Sequence, residues 1–184
     1  MPAPSLTTDE YLRTPETLLP QELVYGYVRD AAAPAPGHQF AVVRFLVALV
    51  EHVEPLGLGR VLPSPIDVVL DRERHLVVQP DLIVISRERL RLVTDRVWGP
   101  PDLVIEILSP RPRIGTLEER LEWFARYGVC ECWLFRQPDL ELEVVEFAKG
   151  TISRRRRFTG AQPIASAVLP QFRLSLDRIF GRGP

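Results

Sequence analysis

A chain of 184 residues, 46% of them apolar and 26% charged, is long enough for one domain with a sizeable core and too apolar for intrinsic disorder. Its formal net charge of −1 gives no prior for a polyanionic partner, and no apolar run reaches the roughly 18 residues that a membrane-spanning helix needs. The first residues lack a basic stretch leading into an apolar core, so a signal peptide is not expected and a cytoplasmic location is.

Taken in order, Thr7 and Glu10 have the spacing of a capping box, which predicts a short helix over 8–13 stopped by Pro15. Residues 21–30 alternate through Leu23, Tyr25 and Tyr27 and predict a strand, with Gly26 marking a turn or bulge. The Ala/Pro segment 31–37 is a loop. From His38 onward, Val42, Phe45, Leu46, Leu49, Val50 and Val53 recur at three and four, predicting an amphipathic helix that packs on a sheet. His38 stands near its N-terminus, either facing a site or capping the helix. Pro63 and Pro65 predict an irregular start to 61–70 before a strand at 66–70, and the polar turn 71–74 leads back through 76–78. Charged residues 87–95 predict a short helix or surface excursion.

Two apolar runs, 80–86 and 101–108, each open on a Pro-Asp step, and their length and β-branching predict strands buried on both faces. Glu106 lies inside the second. A carboxylate there costs several kcal/mol, roughly, unless a metal, a charge or hydrogen bonds compensate it. Asp102 and Glu106 share a face but stand four residues apart, about 13 Å on the strand rise, so they do not share an ion. Asp81 opens a different strand, whose pairing brings it within about 5 Å of Glu106. Two carboxylates at that range repel unless a cation lies between them, and a hard, oxygen-loving ion such as Mg²⁺ or Mn²⁺ suits them. The chemistry this predicts is phosphodiester hydrolysis, with Asp102 left to local turn structure.

A helix then follows Thr116, with Leu117, Leu121, Phe124 and Gly128 on one stripe. At 100° per residue Arg120 falls about 60° from Leu117 and about 40° from Phe124, on the margin of the buried face. Strands at 131–135, 140–147 and 151–158, joined by turns at 137–139 and 149–150, give the C-terminal part an antiparallel character and the whole an α+β reading. Cys130 and Cys132, two apart with no third cysteine, predict buried free thiols on one strand face rather than a zinc site. The run Arg154 to Arg157 predicts a solvated edge strand, and its charges are also phosphate-contact candidates.

The order of these features resembles the PD-(D/E)XK nuclease superfamily, and within it the Uma-type restriction endonucleases. The likeness covers about 6–147 and is carried by Leu6-Thr7 with Glu10-Tyr11-Leu12, Glu22-Leu23-Val24-Tyr25-Gly26, the Pro-rich loop ending in His38, and Leu58-Gly59-Arg60-Val61. It continues through Gln79-Pro80-Asp81, Pro101-Asp102-Leu103-Val104-Ile105-Glu106-Ile107-Leu108-Ser109-Pro110, Tyr127-Gly128-Val129 and Glu131-Cys132-Trp133-Leu134. The resemblance implies a single restriction-endonuclease-like domain over 1–184, built on a mixed β-sheet flanked by helices. It further implies Asp81 and Glu106 as catalytic acids holding Mg²⁺ or Mn²⁺, Glu22 and His38 in support, DNA as partner and a homodimer. Arg111 and Arg113, beyond the second strand, are the nucleic-acid contacts expected nearest the site. The superfamily's lysine two residues after the acid is absent, since Leu108 stands there, and Arg120 occupies the helix position where a lysine substitutes for it in the Uma-type pattern. Thr116 replaces an acid before that helix. Arginine stays protonated at neutral pH and does not serve as a general base. Two readings therefore stand: a metal-dependent DNA endonuclease using Asp81, Glu106 and Arg120, or a catalytically impaired nuclease fold that binds DNA or protein.

Overall fold

The computed structural model describes residues 5–15, 20–30, 33–108 and 116–181. The α+β expectation holds, but the strands divide between two sheets rather than forming one. The first sheet has the order β2-β1-β5-β4-β7, built from β1 (Gln21–Val24), β2 (Tyr27–Asp30), β4 (Val68–Asp71), β5 (Leu76–Val78) and β7 (Val97–Trp98). The second has the order β11-β10-β9-β8-β6-β3, from β3 (Gly59–Pro63), β6 (Leu82–Ser86), β8 (Leu103–Leu108), β9 (Glu131–Arg136), β10 (Glu141–Ala148) and β11 (Thr151–Thr159). Its β8–β9 pair is parallel and its other pairs antiparallel. The division falls at Gln79-Pro80-Asp81. Pro80 has no N–H to extend a ladder, so the apolar run that enters as β5 in one sheet leaves as β6 in the other.

The long helix α2 (Pro36–Val53) covers one face of the six-stranded sheet. It buries Ala41, Val42, Phe45, Ala48, Leu49 and Val53, with the Phe45 ring edge-on to Phe135 at 5.1 Å and to Trp133 at 6.4 Å. Burying a phenylalanine this completely contributes about 1.5–3 kcal/mol. The C-terminal segment closes the same layer through Ile164, Leu169, Phe172 and the short helix α4 (Leu176–Phe180). On the opposite face, Leu121, Trp123 and Phe124 of α3 (Leu117–Tyr127) share a core with Ile83, Ile85, Val104, Cys132 and Leu134. Thr116 caps α3 by accepting from the Glu119 N–H, and Gly128 ends it at φ 94°, where a side chain would be strained. The capping box of Thr7 and Glu10 opens α1 (Thr8–Tyr11) as its spacing predicts. No helix among the described residues is long and apolar enough to cross a membrane.

Three expectations are corrected. Residues 61–63 are not irregular but belong to the edge strand β3, where Pro63 is tolerated as the last residue and Gly59, the first, is required by close approach. A Cβ on Gly59 would stand 2.0 Å from the Ile85 carbonyl oxygen. Cys130 precedes β9 and is exposed, so only Cys132 is a buried thiol. The single strand expected over 21–30 is a hairpin, β1 and β2 meeting at Tyr25-Gly26 with positive φ at both. The arginine run does lie on the exposed edge strand β11. Three of its four charges are paired: Arg155 with Glu143, Arg156 with Glu146 and Arg157 with Glu141 on β10.

Candidate functional site

The candidate site forms where the two sheets meet. β6 and β8 pair with Leu82 opposite Ile105 and Ile83 opposite Val104, a register that brings Asp81, one residue before β6, alongside Glu106. Asp81 Oδ2 accepts the Ile107 N–H at 2.7 Å, which fixes its carboxylate at the ladder's end. His38, in the first turn of α2, sets Nε2 3.1 Å from the same Oδ2. On the other side, Arg120 of α3 gives Nε and Nη2 to Glu106 Oε1 at 3.0 and 2.6 Å. Its Nη1 lies 2.9 and 2.8 Å from the two oxygens of Glu22 on β1. Arg120 thus ties the five-stranded sheet to the six-stranded one, while its guanidinium carbon sits 5.6 Å over the Phe124 ring.

Burial makes these pairs strong. The side chains of Glu22, Arg120 and Glu106 are 1%, 11% and 13% exposed, so the charges are largely removed from water. Burial pushes the Glu106 carboxyl up, to about 7; Arg120 opposes that rise, and the charges of Asp81 and Glu22 add to it. Burial lowers the Arg120 pKa, but the two glutamates outweigh it and hold the guanidinium charged. The His38 pKa is raised, first by its hydrogen bond to Asp81. Three carboxylates therefore share one guanidinium and one imidazole.

A profile of the Uma2 family, described as "Putative restriction endonuclease", matches residues 8–177. The chain belongs to the Uma2 family. The crystal structure of a putative nuclease belonging to DUF820 from Anabaena variabilis ATCC 29413 is similar to it with a TM-score of 0.79 at 18% identity, over 96% of this chain and 98% of that one. At that identity the likeness speaks to the fold. No curated protein matches the chain.

The structure of this Uma2 chain gathers the five residues as two bonded groups, His38 with Asp81 and Arg120 with Glu106 and Glu22, close enough for the Asp81 charge to act on Glu106. Asp102 stands apart from them, accepting the Ser86 N–H at 2.7 Å and pairing with Arg89 at 3.2 Å. Arg111 and Arg113 lie outside the described residues. Two further participants carry no sequence signal beyond adjacency to the first Pro-Asp step. The Gln79 N–H donates to Glu22 Oε1 at 2.7 Å, and its side-chain amide donates to Asp67 Oδ1 at 2.9 Å, with Asp67 in turn paired to Arg96. This chain of contacts anchors the 79–81 segment and so the placement of Asp81.

Among the described residues no three His, Cys, Asp or Glu side chains converge as a ready metal cluster. The oxygens left for a cation are Glu106 Oε2 and Asp81 Oδ1. Neither receives a hydrogen bond from the described residues, because the donors of Arg120, Ile107 and His38 all act on the other oxygen of each pair. The donor set is two carboxylates, hard oxygen ligands in a site with excess negative charge, which fits a small divalent ion that keeps several waters.

Proposed function

We propose that this Uma2 chain is a Mg²⁺- or Mn²⁺-dependent DNA endonuclease of the PD-(D/E)XK type, acting through one restriction-endonuclease-like domain. The observation that carries the reading is the β6–β8 register that sets Asp81 alongside Glu106, each with one oxygen that receives no hydrogen bond from the described residues. Asp81 and Glu106 are the residues that would hold the ion, and when bound it supplies an activated water and stabilises charge developing on phosphorus. His38 orients Asp81 through Oδ2, and the Ile107 N–H holds the same oxygen. Arg120, gripped by Glu22, aims its charge at the site and offsets the phosphate's charge without taking a proton.

The test is cleavage of supercoiled and linear DNA with each metal, beside calorimetric titration of Mn²⁺ into wild type, Asp81→Asn and Glu106→Gln. Metal-dependent cutting lost in both variants, together with Mn²⁺ binding weakened in both, supports the reading. Wild-type protein that neither cuts DNA nor binds Mn²⁺ through Glu106 overturns it.

A second reading is favoured by one observation: Arg120 bonds to Glu106 and Glu22 through four contacts and itself answers the buried charge. On that reading the chain is a nuclease-fold module that binds DNA or protein without turnover. DNA binding by a wild type that does not cut, with or without metal, is the result that selects it.

A further inference from the structure

A cavity of about 280 Å³ opens between the first turns of α2, the turn after β9 and α4, lined by Phe40, Phe135, Gln137, Leu140 and Phe180. Its walls are largely aromatic. The Phe135 and Phe180 rings stack at 4.9 Å, and the Phe40 ring stands 6.4 Å from Phe180 with its own side chain 58% exposed. The volume lies just under the roughly 300–1,000 Å³ that drug-sized ligands occupy, which suits one planar ring system rather than a peptide. One polar group faces these rings. The Gln137 amide nitrogen donates to the Gly37 carbonyl, and its Oε1 has no donor among the described residues. An aromatic cleft with a single open acceptor is how proteins hold an unstacked nucleobase, by ring stacking and a hydrogen bond to the base edge.

The cleft adjoins the candidate site through two contacts. Phe135 pairs with Ile107 across β8 and β9, and the Ile107 N–H holds Asp81, so the floor of the cleft stands one strand spacing, about 4.8 Å, from the residue that fixes Asp81. Gly37, held by Gln137, directly precedes His38, whose ring meets Asp81. His38 and Phe40 leave α2 about 200° apart, so the end of the helix lies between Asp81 and the cleft. That end is capped by Ala35 without a side-chain hydrogen bond, which leaves its first N–H groups open to an anion. Arg44, one turn beyond Phe40 on the same face, donates to the Ile179 carbonyl beside Phe180 and forms no ion pair with the described residues. Stacking surface, anion site and free cation therefore follow one another in the order that base and phosphates take along a single strand.

We propose that this cleft holds one unstacked base of a single-stranded DNA segment whose backbone crosses the N-terminus of α2 towards Asp81 and Glu106. The choice of DNA rests on the nuclease reading above, and the cleft adds the form of substrate.

The experiment is fluorescence anisotropy of a labelled oligothymidine and of an abasic strand of the same length, in chelator so that nothing is cut. Wild type, Phe40→Ala, Phe40→Leu and Phe40→Tyr are compared, with circular dichroism confirming each fold. Wild type and Phe40→Tyr are expected to bind oligothymidine about fivefold or more tightly than Phe40→Ala and Phe40→Leu, the lower end of base–aromatic stacking. All four are expected to bind the abasic strand alike and weakly. A wild type that does not bind oligothymidine, or that binds the abasic strand as tightly, overturns the proposal. So does a Phe40→Leu that binds as wild type does, since plain apolar contact then suffices. Cleavage by wild type and its loss in Glu106→Gln are read separately with metal. Cutting without any effect of Phe40 on binding overturns the base cleft alone, whereas Phe40-dependent binding by a protein that never cuts upholds the cleft and overturns the nuclease reading.

Discussion

Arg120 bonds to Glu106 through Nε and Nη2 on a single oxygen, at 3.0 and 2.6 Å, and the other oxygen of that carboxylate has no donor among the described residues. The same guanidinium spends Nη1 on Glu22, a residue of the other sheet that is almost wholly buried. The contact neutralises buried charge and uses one oxygen of the Glu106 carboxylate, with the other receiving no hydrogen bond from the described residues.

Removing the guanidinium leaves two buried carboxylates without their cation among the described residues. Arg120→Ala is expected to cost about 3–5 kcal/mol, the usual penalty for breaking a buried pair by deleting one partner. Arg120→Lys keeps the charge but not the fork that reaches both glutamates, and is expected to cost about 1.5–3 kcal/mol, the worth of one charged hydrogen bond. Urea denaturation of the three proteins measures both. An Arg120→Ala variant as stable as wild type would show that Glu22 and Glu106 find other partners.

The pH dependence of the metal-free protein follows from Glu106. Its folded pKa is raised from 4.5 to about 7, so the folded state holds this proton more tightly than the unfolded chain does. The stabilisation linked to it is fully present below pH 4.5 and is lost as pH rises towards 7. Glu106→Gln, which cannot ionise, is expected to flatten that part of the stability profile in chelator-treated protein. Thermal melts of the two proteins at matched pH check this, with His38 acting in the same sense because its pKa is also raised.

Glu131 is another buried carboxylate, with a different solution. It accepts the Trp133 indole N–H at 2.6 Å, the Ser166 hydroxyl at 2.6 Å and the Ala167 N–H at 2.8 Å, and so pins the C-terminal segment to β9. Glu131→Ala strands these three donors and is expected to destabilise the fold by about 3–9 kcal/mol, at about 1–3 kcal/mol for each unsatisfied group. Glu131→Gln keeps an acceptor and is expected to lose less. Chemical denaturation separates the two, and equal losses would mean that shape rather than hydrogen bonding holds the segment.

The arginines of β11 are expected to matter little to nucleic acid. Arg155→Ala and Arg157→Ala each remove one partly exposed ion pair, worth about 0–1 kcal/mol, and leave the salt dependence of DNA binding unchanged. A shallower salt slope in either variant would assign those charges to phosphate instead.

Much of this was legible one residue at a time. Continuous apolar runs marked β6 and β8, and period-three-to-four patterns marked α2 and α3, since burial of both faces or of one leaves that trace on the chain. The misfit of Glu106 in an apolar strand, and strand spacing alone, were enough to select Asp81 over Asp102 as its neighbour. Pattern does not record what a residue touches. Only the family resemblance singled out Glu22, and its partner became visible when β1 and α3 came together and Arg120 reached it. The four arginines of β11 read as free charge until β10 set glutamates beside three of them. The split into two sheets rests on Pro80, whose missing N–H the sequence displays but whose consequence depends on which strands compete for β5 and β6. Periodicity along a chain reports which side chains leave water; the tertiary structure alone decides which charges meet at 3 Å, and that separation sets whether Asp81, Glu106 and Arg120 are scaffold or site.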